Sequence, residues 1–184
     1  VWHTHRVQFP REMDFLLPMS PSVYYGFQYF GWFKPLLDQF VATGEARYAR
    51  DALAIVRRYY DQRREIPRLF SQWSPVWYEL GSGAKSHVFL HLYLLVCGDN
   101  LAGPAEREAL LKFLLGFARH LYRVQGSGPR PGNWQIQGCS ALYLIGAFFP
   151  EFREAAAWRR RAETMLAAHA RHDAQIDFRL AKLG

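Results

Sequence analysis

Arg130, Asn133 and Trp134 fall within the five positions from Arg130 to Trp134, in the segment Pro129-Arg130-Pro131-Gly132-Asn133-Trp134. A guanidinium and an amide can donate to a sugar carboxylate or sulfate, and an indole can cover the apolar face of a sugar ring. The local sequence also starts a helix. Two prolines and a glycine stop whatever precedes, Asn133 is suited to cap, and Pro150 closes the apolar run that follows. A plain N-cap is therefore the competing role for Asn133. Trp73, Trp77, Tyr78 and Glu79 form a second set, in the connection ahead of another apolar run. They offer stacking faces and one carboxylate, although large aromatics pack cores as readily as they bind sugars.

Tyr78, His87 and His91 are the nearest spare acid/base groups. The histidines are one helical turn apart in an apolar stretch, with Val88, Phe89 and Leu90 between them. No glutamate completes a metalloprotease-type pair, so core or groove-lining histidines are expected, with no metal site and no cofactor. Cys97 and Cys139 both sit in apolar runs and read as buried free thiols.

These groups are positioned by helices. Residues 22–41 are aromatic nearly all round, as in a helix buried on most faces, with Pro35 able to kink it. Residues 45–64 keep Tyr48, Ala52, Ile55 and Tyr59 on one face and most charges off it. The alternation recurs. An apolar helix over 84–97 precedes an amphipathic one from Pro104, whose Lys112, Gly116, Arg119 and Arg123 share a face. A third apolar helix over 133–149 precedes one over 151–172 with Ala155, Trp158, Ala162, Met165 and His169 inward. Helices apolar all round need neighbours on all sides, whereas one-sided helices belong outside. The expected fold is thus all-α, an incomplete α/α toroid of about three inner/outer hairpins, in a single helical domain over 1–184. Residues 1–21, with Pro10, Pro18 and Pro21, read as an irregular arm laid over that body.

The 184 residues are 50% hydrophobic and 16% aromatic, enough for a real core and against disorder. Lys and Arg total 23 against 16 acidic residues, and nineteen of the 23 are Arg, which suits anionic partners but also an ordinary solvated surface. The basic residues are spread over outer helices rather than gathered beside the Trp clusters, which argues against nucleic acid. The apolar stretches fall short of the roughly 18 to 20 residues that span a bilayer. Without a leader at Val1, the location reads as periplasmic or secreted if one has been removed, and cytoplasmic otherwise.

The FPREMDF segment from Phe9, the TGEARYA turn, the SPVW connection, and above all GNW followed by FPEF and Trp158 resemble the N-terminal helical domain of heparinase II/III-like and alginate-lyase-like polysaccharide lyases. The resemblance runs from about Phe9 to Gln175. It implies β-elimination on an acidic, uronate-containing polysaccharide, heparin- or heparan-like or alginate-like. It makes Asn133 the group that neutralises the uronate carboxylate. The substrate-binding set rests on the fold expectation instead: in a two-layer ring the connections entering successive inner helices line one open face, so Trp73, Trp77, Tyr78, Glu79, Arg130, Asn133 and Trp134 are expected along a shared groove. The resemblance also implies a larger lyase with a C-terminal β-rich domain. The family's catalytic tyrosine and histidine are expected further along, and Gln175-Ile-Asp-Phe-Arg-Leu-Ala-Lys-Leu-Gly184 departs from the segment that usually precedes that tyrosine. The alternative is a non-catalytic helical module that binds carbohydrate or protein.

Overall fold

A helix that is apolar on every side is stable in water only between other helices. Among the described residues two helices are of that kind, α4 (Glu79–Gly98) and α6 (Asn133–Phe148), and they pack side by side. Around them lie three one-sided helices, α3 (Ala46–Gln62), α5 (Pro104–Val124) and α7 (Ala155–Leu180). The α4 helix is covered by α5, α6 by α7, and α5 also packs on α3 and α6. This computed structural model describes residues 13–16, 19–68, 74–98, 100–126 and 132–180. Among them every regular element is helical.

The direction of each helix follows from its contacts. Tyr78 meets Trp134, Gly83 faces Gln137, and His87 lies 3.4 Å from Ser140, so positions on α4 and α6 advance together. The two inner helices are parallel. Against α5 the order reverses: Phe89 meets Phe113, whereas Trp77, nearer the start of α4, meets Phe117 and His120. Likewise Gln135 near the start of α6 reaches His169 far along α7, while Gly146 near its end faces Ala155. Parallel inner helices with outer helices returning antiparallel are the repeat of an α/α toroid.

The first hairpin departs from the expected single kinked helix over 22–41. The chain instead forms α1 (Pro21–Phe27), a 3-10 turn (Gly31–Phe33) and α2 (Lys34–Thr43). Phe30 sits in the left-handed region at φ 62°, and its ring is fully buried among Phe15, Trp32, Phe33, Tyr59 and Phe89. Trp32 Nε1 donates to the Phe27 carbonyl at 2.8 Å, which also accepts from the Phe30 N–H at 3.3 Å, so the indole reinforces the end of α1. Aromatic packing thus offsets the strained backbone, and α2 exposes Val41 rather than being enclosed. The α4 helix begins at Glu79 instead of near 84, and residues 150–154 form turns before α7.

Most of the arm lies outside the described residues, but its described part is a core element. Phe15 is fully buried, its N–H donates to Gln62 Oε1 at 2.9 Å, and its carbonyl accepts from Tyr24 Oη at 2.6 Å. Burial, with Asp14 nearby, pushes the Tyr24 hydroxyl up to about 12, so it remains a donor at neutral pH.

The α6–α7 pair depends on close approach at Gly146, where an added Cβ would lie 2.8 Å from the Ala155 carbonyl oxygen. Glycine to alanine inside a helix ordinarily gains roughly 0.5–1 kcal/mol. Here Gly146→Ala should lose about 1–3 kcal/mol because backbone must move. Urea denaturation checks the sign, and a stabilised variant would contradict the packing described.

Candidate functional site

Parallel inner helices bring two helix N-termini to one rim, α4 at Glu79 and α6 at Asn133. Each leaves N–H groups without helical partners and carries partial positive charge. At α4 that charge faces the Glu79 carboxylate in its own first turn. The first turn of α6 carries no acidic residue.

Gly132 sets the entry to α6. It occupies the cap position at φ 100°, ψ 170°, a conformation open in practice to glycine only, and no side chain caps the helix. Asn133 is the first helical residue, exposed, and not the N-cap expected from the sequence. Its amide is therefore not spent on a cap. Trp134 follows, 39% exposed, with its ring edge-on to Tyr78 at 6.5 Å.

The other expected residues divide. Tyr78 is buried beneath this rim, packed against Tyr25 at 4.8 Å and Tyr29 at 5.9 Å as well as Trp134, so it backs the surface more than it forms it. Trp77, one residue earlier, turns the other way. Its ring lies against Phe117 at 5.4 Å and over Gly116, where a Cβ would come within 2.6 Å. Glu79 is half-buried at the start of α4. Trp73 and Arg130 lie outside the described residues.

Tyr25 and Tyr29 were not singled out in the sequence. Both are half-buried, and burial raises both hydroxyls above the ordinary tyrosine value, keeping them protonated donors. Their i, i+4 spacing on an aromatic segment was the available signal, masked by so many other aromatics around it.

Behind the rim a buried polar chain fixes the first turn of α6. Gln135 Nε2 donates to the Gln125 carbonyl at 2.6 Å, and its Oε1 lies 2.6 Å from His169 Nε2 on α7. Cys139 Sγ is 3.6 Å from Gln125 Oε1. One side chain thus ties the end of α5 and the start of α6 to the middle of α7. Of the paired histidines, His87 is half-buried beside Ser140, while His91 is exposed. Burial lowers His87 below the usual histidine value, and burial with nearby Arg123 and Lys85 lowers His120. The described residues contain no group of three His, Cys, Asp or Glu placed to hold a metal ion, and no described helix is long and apolar enough to cross a membrane.

Residues 2–177 match the family of the heparinase II/III N-terminus. A 53-residue stretch is 40% identical to a heparin-sulfate lyase of Bacteroides stercoris, taking in 29% of this chain and 8% of that protein. A solved structure described as a heparinase III gene product superposes with a TM-score of 0.63 at 18% identity, covering 88% of this chain and 27% of that one. The chain thus matches only a minor part of the length of both relatives.

Gly132→Ala should cost roughly 1–3 kcal/mol, the usual strain of a non-glycine residue in such a conformation. Differential scanning calorimetry reads it, and an unchanged melting temperature would contradict the backbone described. A second expectation concerns pH. Because the folded state holds His87 and His120 below their unfolded value, it binds fewer protons than the unfolded chain as pH falls through about 6.5. Their stabilising contribution is complete above that pH and is lost below it. The urea midpoint should drop between about pH 7.5 and 5.5, and His120→Gln should reduce the drop. An equal drop in parent and variant would contradict a role for His120.

Proposed function

The chain belongs to the heparinase II/III family through its N-terminal domain, and from that premise we propose that it receives the acidic, uronate-containing glycan of a polysaccharide lyase. The observation that carries this is the α6 mouth: an exposed amide not used as a cap, beside an exposed indole, at a helix N-terminus without an acidic residue.

β-Elimination removes the proton at C5 of a uronate and expels the oxygen at C4, and negative charge gathers on the adjacent carboxylate as the C5 proton leaves. Donors aimed at that carboxylate lower the barrier. In this reading the Asn133 side-chain amide is such a donor, at the positive end of the α6 helix. Trp134, held upright by Tyr78, carries the sugar face, and Tyr25 and Tyr29 donate to substrate oxygens. Arg130 and Trp73, expected from the sequence to bind substrate, lie outside the described residues. Glu79 accepts from sugar hydroxyls, and Trp77 holds the connection to α5. The base for C5 and the acid for the leaving oxygen come from elsewhere in a larger lyase, including a β-rich C-terminal part. The match to a heparin-sulfate lyase favours a sulfated, heparin- or heparan-like glycan over an alginate-like one. The alternative, a carbohydrate-binding module, draws on the burial of Tyr78, the phenol packed on Trp134.

Asn133→Ala should leave stability within about 0.5 kcal/mol, as for an exposed residue without a capping bond. It should weaken binding of a heparin-derived oligosaccharide about tenfold, a loss of about 1.4 kcal/mol. Trp134→Ala should do likewise. Calorimetric titration with parallel thermal melts tests both, and unchanged affinity in both variants would overturn the assignment. The 184-residue chain alone should bind such oligosaccharides without releasing unsaturated uronate products. Robust growth of the conjugated product's ultraviolet absorbance would place the acid and base within these residues.

A further inference from the structure

Lys85 lies on the inner helix α4 with no exposed surface at all. Lysine is almost never fully buried without a counter-charge, since an ammonium loses its hydration there. No described carboxylate is within ion-pair distance of it. Its Nζ makes one hydrogen bond, donating to the Pro75 carbonyl at 2.9 Å. Around the amine stand the rings of Phe117 at 5.6 Å, Tyr59 at 5.7 Å and Tyr78 at 5.9 Å. A methionine or leucine would fill the same space without the desolvation cost, so packing does not explain an amine here.

The bond to Pro75 supplies an explanation. Pro75 belongs to the connection 74–78, which has a single turn of its own, from the Trp77 N–H to the Ser74 carbonyl at 3.0 Å. From this connection Trp77 leaves towards α5 and Tyr78 towards Tyr25, Tyr29 and Trp134. The two aromatic side chains are thus aimed in opposite directions by a short segment whose main chain is tied to α4 at the Tyr78 carbonyl, which accepts from the Ser82 N–H at 2.8 Å, and, ahead of both rings, at the Pro75 carbonyl. We propose that Lys85 is the positioning residue of the candidate glycan site, its amine tethering the Pro75 carbonyl so that Trp77 locks on α5 and Tyr78 supports Trp134 at the rim.

The consequence for glycan binding rests on the function proposed above; the tether itself does not. Burial holds the amine well below the ordinary lysine value. The groups facing it are Tyr59 of α3, Tyr78, and Phe117 and His120 of α5, whose own proton affinity it lowers. Among these, only rings attract a cation, and weakly. As pH rises from the depressed folded value towards the unfolded lysine value of about 10.4, the unfolded chain is the more protonated, so stability increases across that window.

The test compares the parent with Lys85→Met, which keeps the stem and removes the donor, and with Lys85→Gln, which keeps a donor. Melting temperature between about pH 7 and 9, below the range in which unfolded tyrosines ionise, should rise in the parent and lose most of that rise in Lys85→Met. The indole N–H resonances of Trp77 and Trp134 should shift in Lys85→Met and return part of the way in Lys85→Gln. Affinity for a heparin-derived oligosaccharide should fall about tenfold in Lys85→Met, although no residue touching the sugar has changed. Unmoved indole resonances with unchanged affinity would overturn the proposal. If the parent binds no oligosaccharide, the function proposed above fails, while the resonances and the pH slope still decide the tether. If Lys85→Met does not fold, the parent's pH slope and the Lys85→Gln resonances decide it, and a flat slope with unmoved resonances overturns it.

Discussion

Everything in this molecule depends on covering most of the surface of two parallel, largely apolar helices, which still leave Leu94 of α4 and Ile136, Tyr143 and Phe148 of α6 exposed. With Phe89, Leu90, Leu92 and Val96 of α4 and Cys139, Ala141, Leu142 and Ile145 of α6 all buried, each inner helix needs partners on several sides at once. One-sided helices supply them by returning antiparallel outside, which forces the next inner helix to start again from the same end. The topology follows from the distribution of apolar residues, with no special motif needed. Its by-product is a rim where successive inner helices begin, and where helix N-termini and the connections entering them gather.

That rim is built with more care than core packing alone demands. Gly132 takes a conformation in which a side chain would be strained, and it leaves the Asn133 amide uncommitted. Gln135 spends its amide on the end of α5 and on His169 of α7, fixing the first turn of α6 from behind. Lys85 does the equivalent for the connection into α4, at the cost of a buried amine. Each of these polar groups is stabilised by a specific partner across elements, and so each constrains direction as well as distance, which apolar contacts do only loosely.

The alternation of all-round and one-sided apolar helices was legible in the sequence because periodicity reports burial directly. The inward stripe Ala155, Trp158, Ala162, Met165 and His169 is buried as its spacing required. Residues 22–41 misled for a physical reason: in a segment aromatic on every face, period carries no information, and the break at Phe30 is decided by long-range ring packing against Tyr59 and Phe89. The GNW start of α6 was visible, but the cap position fell one residue earlier, on the glycine. Tyr78 and Trp77 were both expected along one groove, yet adjacent residues in a short connection point apart, which spacing alone does not reveal. Lys85 went unnoticed because one basic residue in an apolar helix reads as an exposed position; only the fold shows that this face of α4 is covered.

The central claim is that the α6 mouth, and not the arginine-rich outer surface, receives the acidic glycan. Titrating the isotopically labelled chain with a heparin-derived oligosaccharide and following two-dimensional NMR spectra at moderate salt tests it most directly, because exposed charge contacts are screened there. The account predicts saturable shifts at the Asn133 side-chain amide, the Trp134 indole and the first backbone amides of α6, with the outer faces of α5 and α7 unmoved. Shifts confined to Arg119, Arg123, Arg160 and Arg161, with Asn133 and Trp134 unchanged, would contradict it.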